Sequence, residues 1–271
     1  MPRVGAVLAA LLLGGCATPA TPATPVTSAI PAAPDLTAVL EQSRDNENRH
    51  LLQVALSNDG AEPVEVVRLQ LRSPAFTDVA PTVREDVLAP GRRLAFPIAY
   101  GAADCRGSGR ATVVVGHRRN GVLHEAGLDV PADDPLLTRL QERECRLAAL
   151  ARTAALSFTG WTREGGTARA ELVLTRLRGE APVAVAAVDG SVILTLRPGG
   201  PLPLALDGPE VRLPVVANPS RCDPHALAES KRTYAFSLAV RYGDGPPLTV
   251  IARPDPADLP LLEQLVLDVC R

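Results

Sequence analysis

The sequence predicts an all-β chain of two tandem antiparallel sandwiches, Ig-like or fibronectin-III-like, each of about seven strands and each with a short C-terminal helix. Three observations lead there. Apolar residues alternate with polar ones over short runs, between Pro and Gly turns spaced roughly 8 to 12 residues apart. The sequence repeats itself once, and four cysteines fall in phase with that repeat. The copies divide near residue 150, which makes 36–150 the first sandwich and 151–271 the second.

The chain opens with Arg3 as its only early charge, and residues 4–13 then carry none. A spanning helix needs about 20 apolar residues, so this run reads as the h-region of a signal peptide. Gly14 and Gly15 are small enough for cleavage, and Cys16 follows at once. Leu13, Gly14, Gly15 and Cys16 together resemble the lipobox of bacterial lipoproteins, a resemblance confined to residues 1–16. It implies loss of a 1–15 signal peptide, a diacylglycerol thioether on Cys16 and usually an amide-linked acyl chain such as palmitate. Each buried CH2 contributes about 0.8 kcal/mol, and one chain alone binds only marginally, so several chains make a firm membrane anchor. The implied location is the outer face of the cytoplasmic membrane. In a cell with two membranes, Ala17 in place of an Asp allows sorting to the outer one. Lys231 is the only lysine among 28 basic residues and Met1 the only methionine, a composition typical of a GC-rich genome such as an actinobacterial one.

The lipidated cysteine heads a Pro/Thr/Ala-rich tether, residues 16–35, with Pro at 19, 22, 25, 31 and 34. Proline fixes its own φ and holds its predecessor extended, so the segment is a semi-rigid spacer. At about 3 Å per residue, it spans roughly 50 Å.

Strands come next. Val54 and Leu56 alternate with polar neighbours, NDGAEP turns the chain, and Val64 and Val66 resume a period of two. This pair, VALSNDGAEPVEVVRL from Val54, resembles LVLTRLRGEAPVAVAAV from Leu172 with one residue added in the turn. Further on, FPIAYGAADC (96–105) matches LPVVANPSRC (213–222), and PLLTRLQERECR (135–146) matches PLLEQLVLDVCR (260–271) without a gap. Three matches in one order mark a duplicated domain.

The duplication ranks the cysteine pairings that spacing alone leaves open. Cys105 and Cys145 of one copy correspond to Cys222 and Cys270 of the other, so the expected bridges are Cys105–Cys145 and Cys222–Cys270. Each second cysteine ends a segment of helical spacing opened by Asp and Pro, with Asp133 and Asp134 as caps for the first. The bridge then pins that helix to its sandwich. Residues 144–156, ECRLAALARTAAL, also have helical character.

In HRRNGVLH (117–124), Asn120 and Gly121 form a strong two-residue hairpin signal. The register sets Arg119 against Val122, Arg118 against Leu123, His117 against His124, Val115 against Ala126 and Val113 against Leu128. The histidines stand at the far end of an apolar face, with Cβ atoms roughly 5 Å apart, within reach of one metal ion. Two imidazoles are too few ligands to assign a metal from sequence, and Arg241 and Tyr242 stand near the corresponding turn of the second copy. Cys222 and His225 make a CxxH, but the bridge uses that cysteine. Trp161 reads as a core or inter-domain anchor.

The sequence has no GxSxG elbow, HExxH helix or phosphate-binding glycine loop. The reading is therefore non-enzymatic and without a cofactor. Net charge is −2, one unit lower once Arg3 leaves with the signal, which indicates no broad basic surface for nucleic acid. The arginine pairs at 92–93 and 118–119 read as turn residues. The expected function is a membrane-anchored binding or structural module toward an envelope protein or cell-wall polymer. The alternative is a solute- or metal-handling lipoprotein using the inter-domain cleft or the His117/His124 tip.

Overall fold

A computed structural model describes residues 35–43, 46, 49–119, 121–131, 134–230 and 232–271. The signal peptide, Cys16, the tether up to residue 34, Asn120 and Asp133 lie outside the described residues. Among the described residues, no helix is long and apolar enough to cross a membrane.

The first sandwich has seven strands: β1 (Leu36–Glu41), β2 (Leu51–Asn58), β3 (Val64–Arg72), β4 (Thr82–Leu88), β5 (Arg93–Ala99), β6 (Ala111–Arg119) and β7 (Val122–Val130). They form two antiparallel sheets, ordered β1-β2-β5 and β4-β3-β6-β7. The pleat sends alternate residues inward, so Leu52, Val54 and Leu56 from one sheet meet Val66, Leu69, Val113 and Val115 from the other in a single buried cluster.

Helix α1 follows, Pro135–Thr153. Asp134 caps it, its Oδ1 accepting from the Leu136 and Leu137 amides at 3.0 and 3.1 Å, with Pro135 pre-set for the first turn. The expected short helix is 19 residues long. It continues two turns past Cys145 and stops where Ala154 turns extended, so residues 154–156 open a strand instead of ending a helix. Burial decides the switch: Ala154 and Phe158 face the second core.

The second sandwich repeats the plan with β8 (Ala154–Glu164), β9 (Thr167–Arg176), β10 (Val183–Val188), β11 (Leu194–Pro198), β12 (Leu204–Ala205), β13 (Glu210–Pro219), helix α2 (Pro224–Glu229), β14 (Phe236–Tyr242), β15 (Leu248–Ala252) and helix α3 (Leu259–Val269). Its sheets run β11-β13-β9-β8 and β12-β10-β14-β15. Apart from β11, added beside β13, each strand has a partner in the first copy, β1 with β8 through β7 with β15. The two buried clusters share no residue.

Both expected bridges are present, Cys105–Cys145 and Cys222–Cys270, closing loops of 40 and 48 residues. Each fastens the loop after β5 or β13 to the helix behind its sandwich. Trp161 belongs to the second core, 5.6 Å from Phe158 and stacked 6.0 Å from Phe236 between ring centres.

Candidate functional site

The β6–β7 hairpin has the register its sequence dictates: Val113 opposite Leu128, Val115 opposite Ala126 and His117 opposite His124. Val113 and Val115 are buried, so His117, two residues further along the same face, also turns toward the sandwich interior where the two sheets part. The imidazole centres are 5.7 Å apart with planes tilted by 33°.

These rings line a pocket of about 860 Å³ at the open end of the first sandwich. Its other walls come from Asp35 and Leu36 at the start of β1, from Asn58 and the 61–64 turn, and from the hairpin arm through Leu123 and Ala126. The turn is held by Asn58, fully buried, whose Nδ2 donates to the Glu62 carbonyl at 2.8 Å and to the Leu88 carbonyl at 2.9 Å. The start of β1 is tied to the same turn, the Asp59 amide donating to the Asp35 carbonyl at 2.9 Å.

Charges ring the outside of the hairpin. Arg118 and Arg119 are strand residues, not turn residues: Arg118 points away from the core and reaches Glu65 at 2.7 Å, while Arg119, two residues on from His117, lies on the same strand face as that imidazole and meets Glu62 at 3.1 Å. Arg68 lies across Gly116 to meet Glu125 at 2.7 Å; a Cβ on that glycine would come within 2.5 Å of Arg68 Cγ. Such exposed pairs contribute little to stability.

Burial lowers the pKa of His117, and the nearby His124 and Arg119 act the same way. The Val115 carbonyl pulls in the opposite direction as an acceptor for a ring N–H, although no bond of good geometry closes on the buried Nδ1 among the described residues. The neutral imidazole is therefore favoured, the form that can offer a lone pair.

The remaining sequence candidates do not join this cluster. His225 lies on α2, 3.3 Å from Glu229 and exposed, and Cys222 is bonded to Cys270. Among the described residues, no group of three or more His, Cys, Asp or Glu is placed to hold a metal ion.

Sequence reasoning missed the pocket and the part played by Asn58. A signal was available in the repeat, which aligns Asn58 with Arg176. Arg176 does the same work in the second copy, donating to the Ala181 carbonyl at 2.8 Å and the Leu206 carbonyl at 2.7 Å beside a smaller pocket of about 500 Å³.

No protein-family model matches the sequence, and no curated protein matches it. Red sea bream transglutaminase aligns over 82% of this chain and 32% of its own, at 12% identity and a TM-score of 0.25. The chain thus spans about a third of that protein's length. A Porphyromonas gingivalis W83 protein of unknown function aligns over 76% of this chain and 90% of its own, at 16% identity and a TM-score of 0.25. The YadV chaperone aligns over 81% and 99%, at 15% identity and a TM-score of 0.22. Likenesses this weak carry no argument about function.

Proposed function

We propose that the chain is a lipid-anchored extracytoplasmic protein whose tandem sandwiches act as a non-enzymatic binding module, meeting an envelope protein or cell-wall polymer at the pocketed end of the first sandwich. The observation that carries this reading is the pocket itself. At about 860 Å³ it falls in the range of ligand sites, roughly 300–1,000 Å³, and its walls combine apolar residues such as Leu36, Val64 and Leu123 with polar and charged ones. The two disulfides support an oxidising compartment, where such bonds persist. The lipobox resemblance at residues 13–16 supports the anchor. With Asp35 on the rim, the tether joins the first sandwich at its pocketed end. The repeat supports division into units 36–150 and 151–271, with α1 shared between them.

Crosslinking in intact cells tests the reading. A photoreactive residue in place of Leu123, 45% exposed on the pocket wall, is expected to capture an envelope protein or a wall fragment. The same group in place of Arg197, exposed on the second sandwich, is expected to capture neither. Equal capture at both positions, or none at Leu123, overturns the reading.

A further inference from the structure

We propose that His117 and His124 form a binding site for a divalent transition metal of the imidazole-preferring kind, copper(II), nickel(II) or zinc(II), at the mouth of the first sandwich. The inference rests on reading that end as a binding face, and it names the ligand class. The two residues are direct cross-strand partners on the inward face, and their ring centres are already 5.7 Å apart. That separation is compatible with bonds of about 2.0–2.1 Å from one ion to a nitrogen of each ring.

The fold itself does not call for two histidines there. In the second copy, Val240 opposite Leu248 corresponds to Val115 opposite Ala126, so the positions of His117 and His124 fall to Tyr242 and Pro246. Tyr242 packs against the second core, which closes with no imidazole at all. His117 is half-buried there and His124 exposed, so one ring meets the end of the apolar face and the other meets solvent.

The surroundings suit a cation. The buried Nδ1 of His117 meets no hydrogen-bond partner of good geometry among the described residues. The lining also holds Asp35, Glu62 and Glu125 beside Arg118 and Arg119; Glu62 is paired with Arg119 and Glu125 with Arg68, which leaves Asp35 as the lining carboxylate outside those ion pairs. Imidazole donors select copper, nickel and zinc over magnesium and calcium, which prefer oxygen. With two protein nitrogens, the ion keeps positions open for water or for donor atoms of a bound solute. That arrangement fits exchange of the ion better than permanent storage.

The test uses the purified full chain, oxidised, with Cys16→Ser to remove a competing thiol. Copper(II) is the probe because it binds such sites most tightly in the divalent series. Titration is expected to show one tight equivalent, with a paramagnetic resonance spectrum reporting two imidazole nitrogens. His117→Asn and His124→Asn, each polar and able to keep the fold, should each weaken binding about 10-fold or more. A variant carrying His50→Asn and His225→Asn should bind as the parent does. No binding, a spectrum without two imidazoles, or binding that survives loss of both His117 and His124 overturns the proposal. Each of those results leaves crosslinking at Leu123 unchanged if the binding-face reading holds, whereas failure of that reading removes the crosslink whatever the metal does.

Discussion

Cys145 and Arg146 are neighbours in α1, yet they hold different sandwiches. Cys145 is bonded to Cys105 behind the first, while the Arg146 guanidinium donates to the Pro246 carbonyl at 2.5 Å in the β14–β15 turn of the second. Gly245 makes the approach possible, since a Cβ there would lie 2.4 Å from Arg146 Nη2. The helix divides its apolar residues in the same way. Leu136, Leu137 and Leu140 enter the first core, Leu150 enters the second, and Leu147 packs against it. At the far end, the Thr153 carbonyl accepts from the Leu177 amide at 2.8 Å, which satisfies one of the free carbonyls of the last turn.

Leu150→Ala should therefore destabilise the second sandwich although the residue precedes its first strand. Leu150 is 2% exposed, and truncating such a leucine costs about 2–5 kcal/mol. Trp161 is the sole tryptophan and sits in the second core, so its fluorescence follows that unit. The denaturant midpoint read by Trp161 should fall further for Leu150→Ala than for Leu140→Ala. The reverse order would assign the helix wrongly.

Asn58 and Arg176 are predicted to be equivalent in effect as well as in place. Removing either side chain strips two backbone carbonyls of their donors at the same turn, those of Glu62 and Leu88 or of Ala181 and Leu206. Leaving a buried polar group unpaired costs about 1–3 kcal/mol, and each alanine variant should lose an amount of up to that order in urea unfolding. A loss near zero for Asn58→Ala, which is the more buried of the two, would mean that water replaces the bonds without cost.

How much of this was legible in the sequence differs by feature. The strands, the β6–β7 register and both bridges followed from period-two alternation, from Asn120-Gly121 and from the phase of the repeat, all local or internally duplicated signals. The length of α1 did not follow, because LAALART continues a helix by propensity while the stop at Ala154 is set by burial against a core assembled from distant strands. The turn reading of Arg118 and Arg119 conflicted with the hairpin register itself, which sets them opposite Leu123 and Val122, and the structure follows the register. Nor was the pocket legible, since it is bounded by three segments far apart in sequence, β1, the β2–β3 turn and the β6–β7 hairpin.

Acid should loosen the second sandwich through Asp268. Its carboxyl accepts hydrogen bonds from Arg163 on β8 and from Gln264 one turn earlier on α3, and these hold its pKa below the usual carboxylate value. The folded pKa is depressed, so the unfolded chain takes up the proton first as pH falls. The contribution is present above the ordinary carboxylate value of about 3.9 and is lost as pH drops through the folded value. Asp268→Asn should flatten the acid limb of the Trp161 transition below about pH 4 relative to the parent. If the two profiles stay parallel down to the lowest pH measured, the Arg163 contact does not survive in solution.

The anchor makes the sharpest demand on a single atom. If Leu13, Gly14, Gly15 and Cys16 act as a lipobox, the Cys16 thiol is the lipid acceptor, and no other side chain in the tether can take its place. Fatty-acid labelling of growing cells should mark the parent chain, and Cys16→Ala should abolish the label while leaving precursor or released protein. The four other cysteines are held in disulfides, so they offer no thiol that would mask the result. Tether substitutions such as Thr21→Ala should leave the label intact, because a spacer needs reach and stiffness more than any particular residue. Label that persists in Cys16→Ala would remove the lipid anchor from the functional reading, and the two disulfides would then argue for a secreted protein.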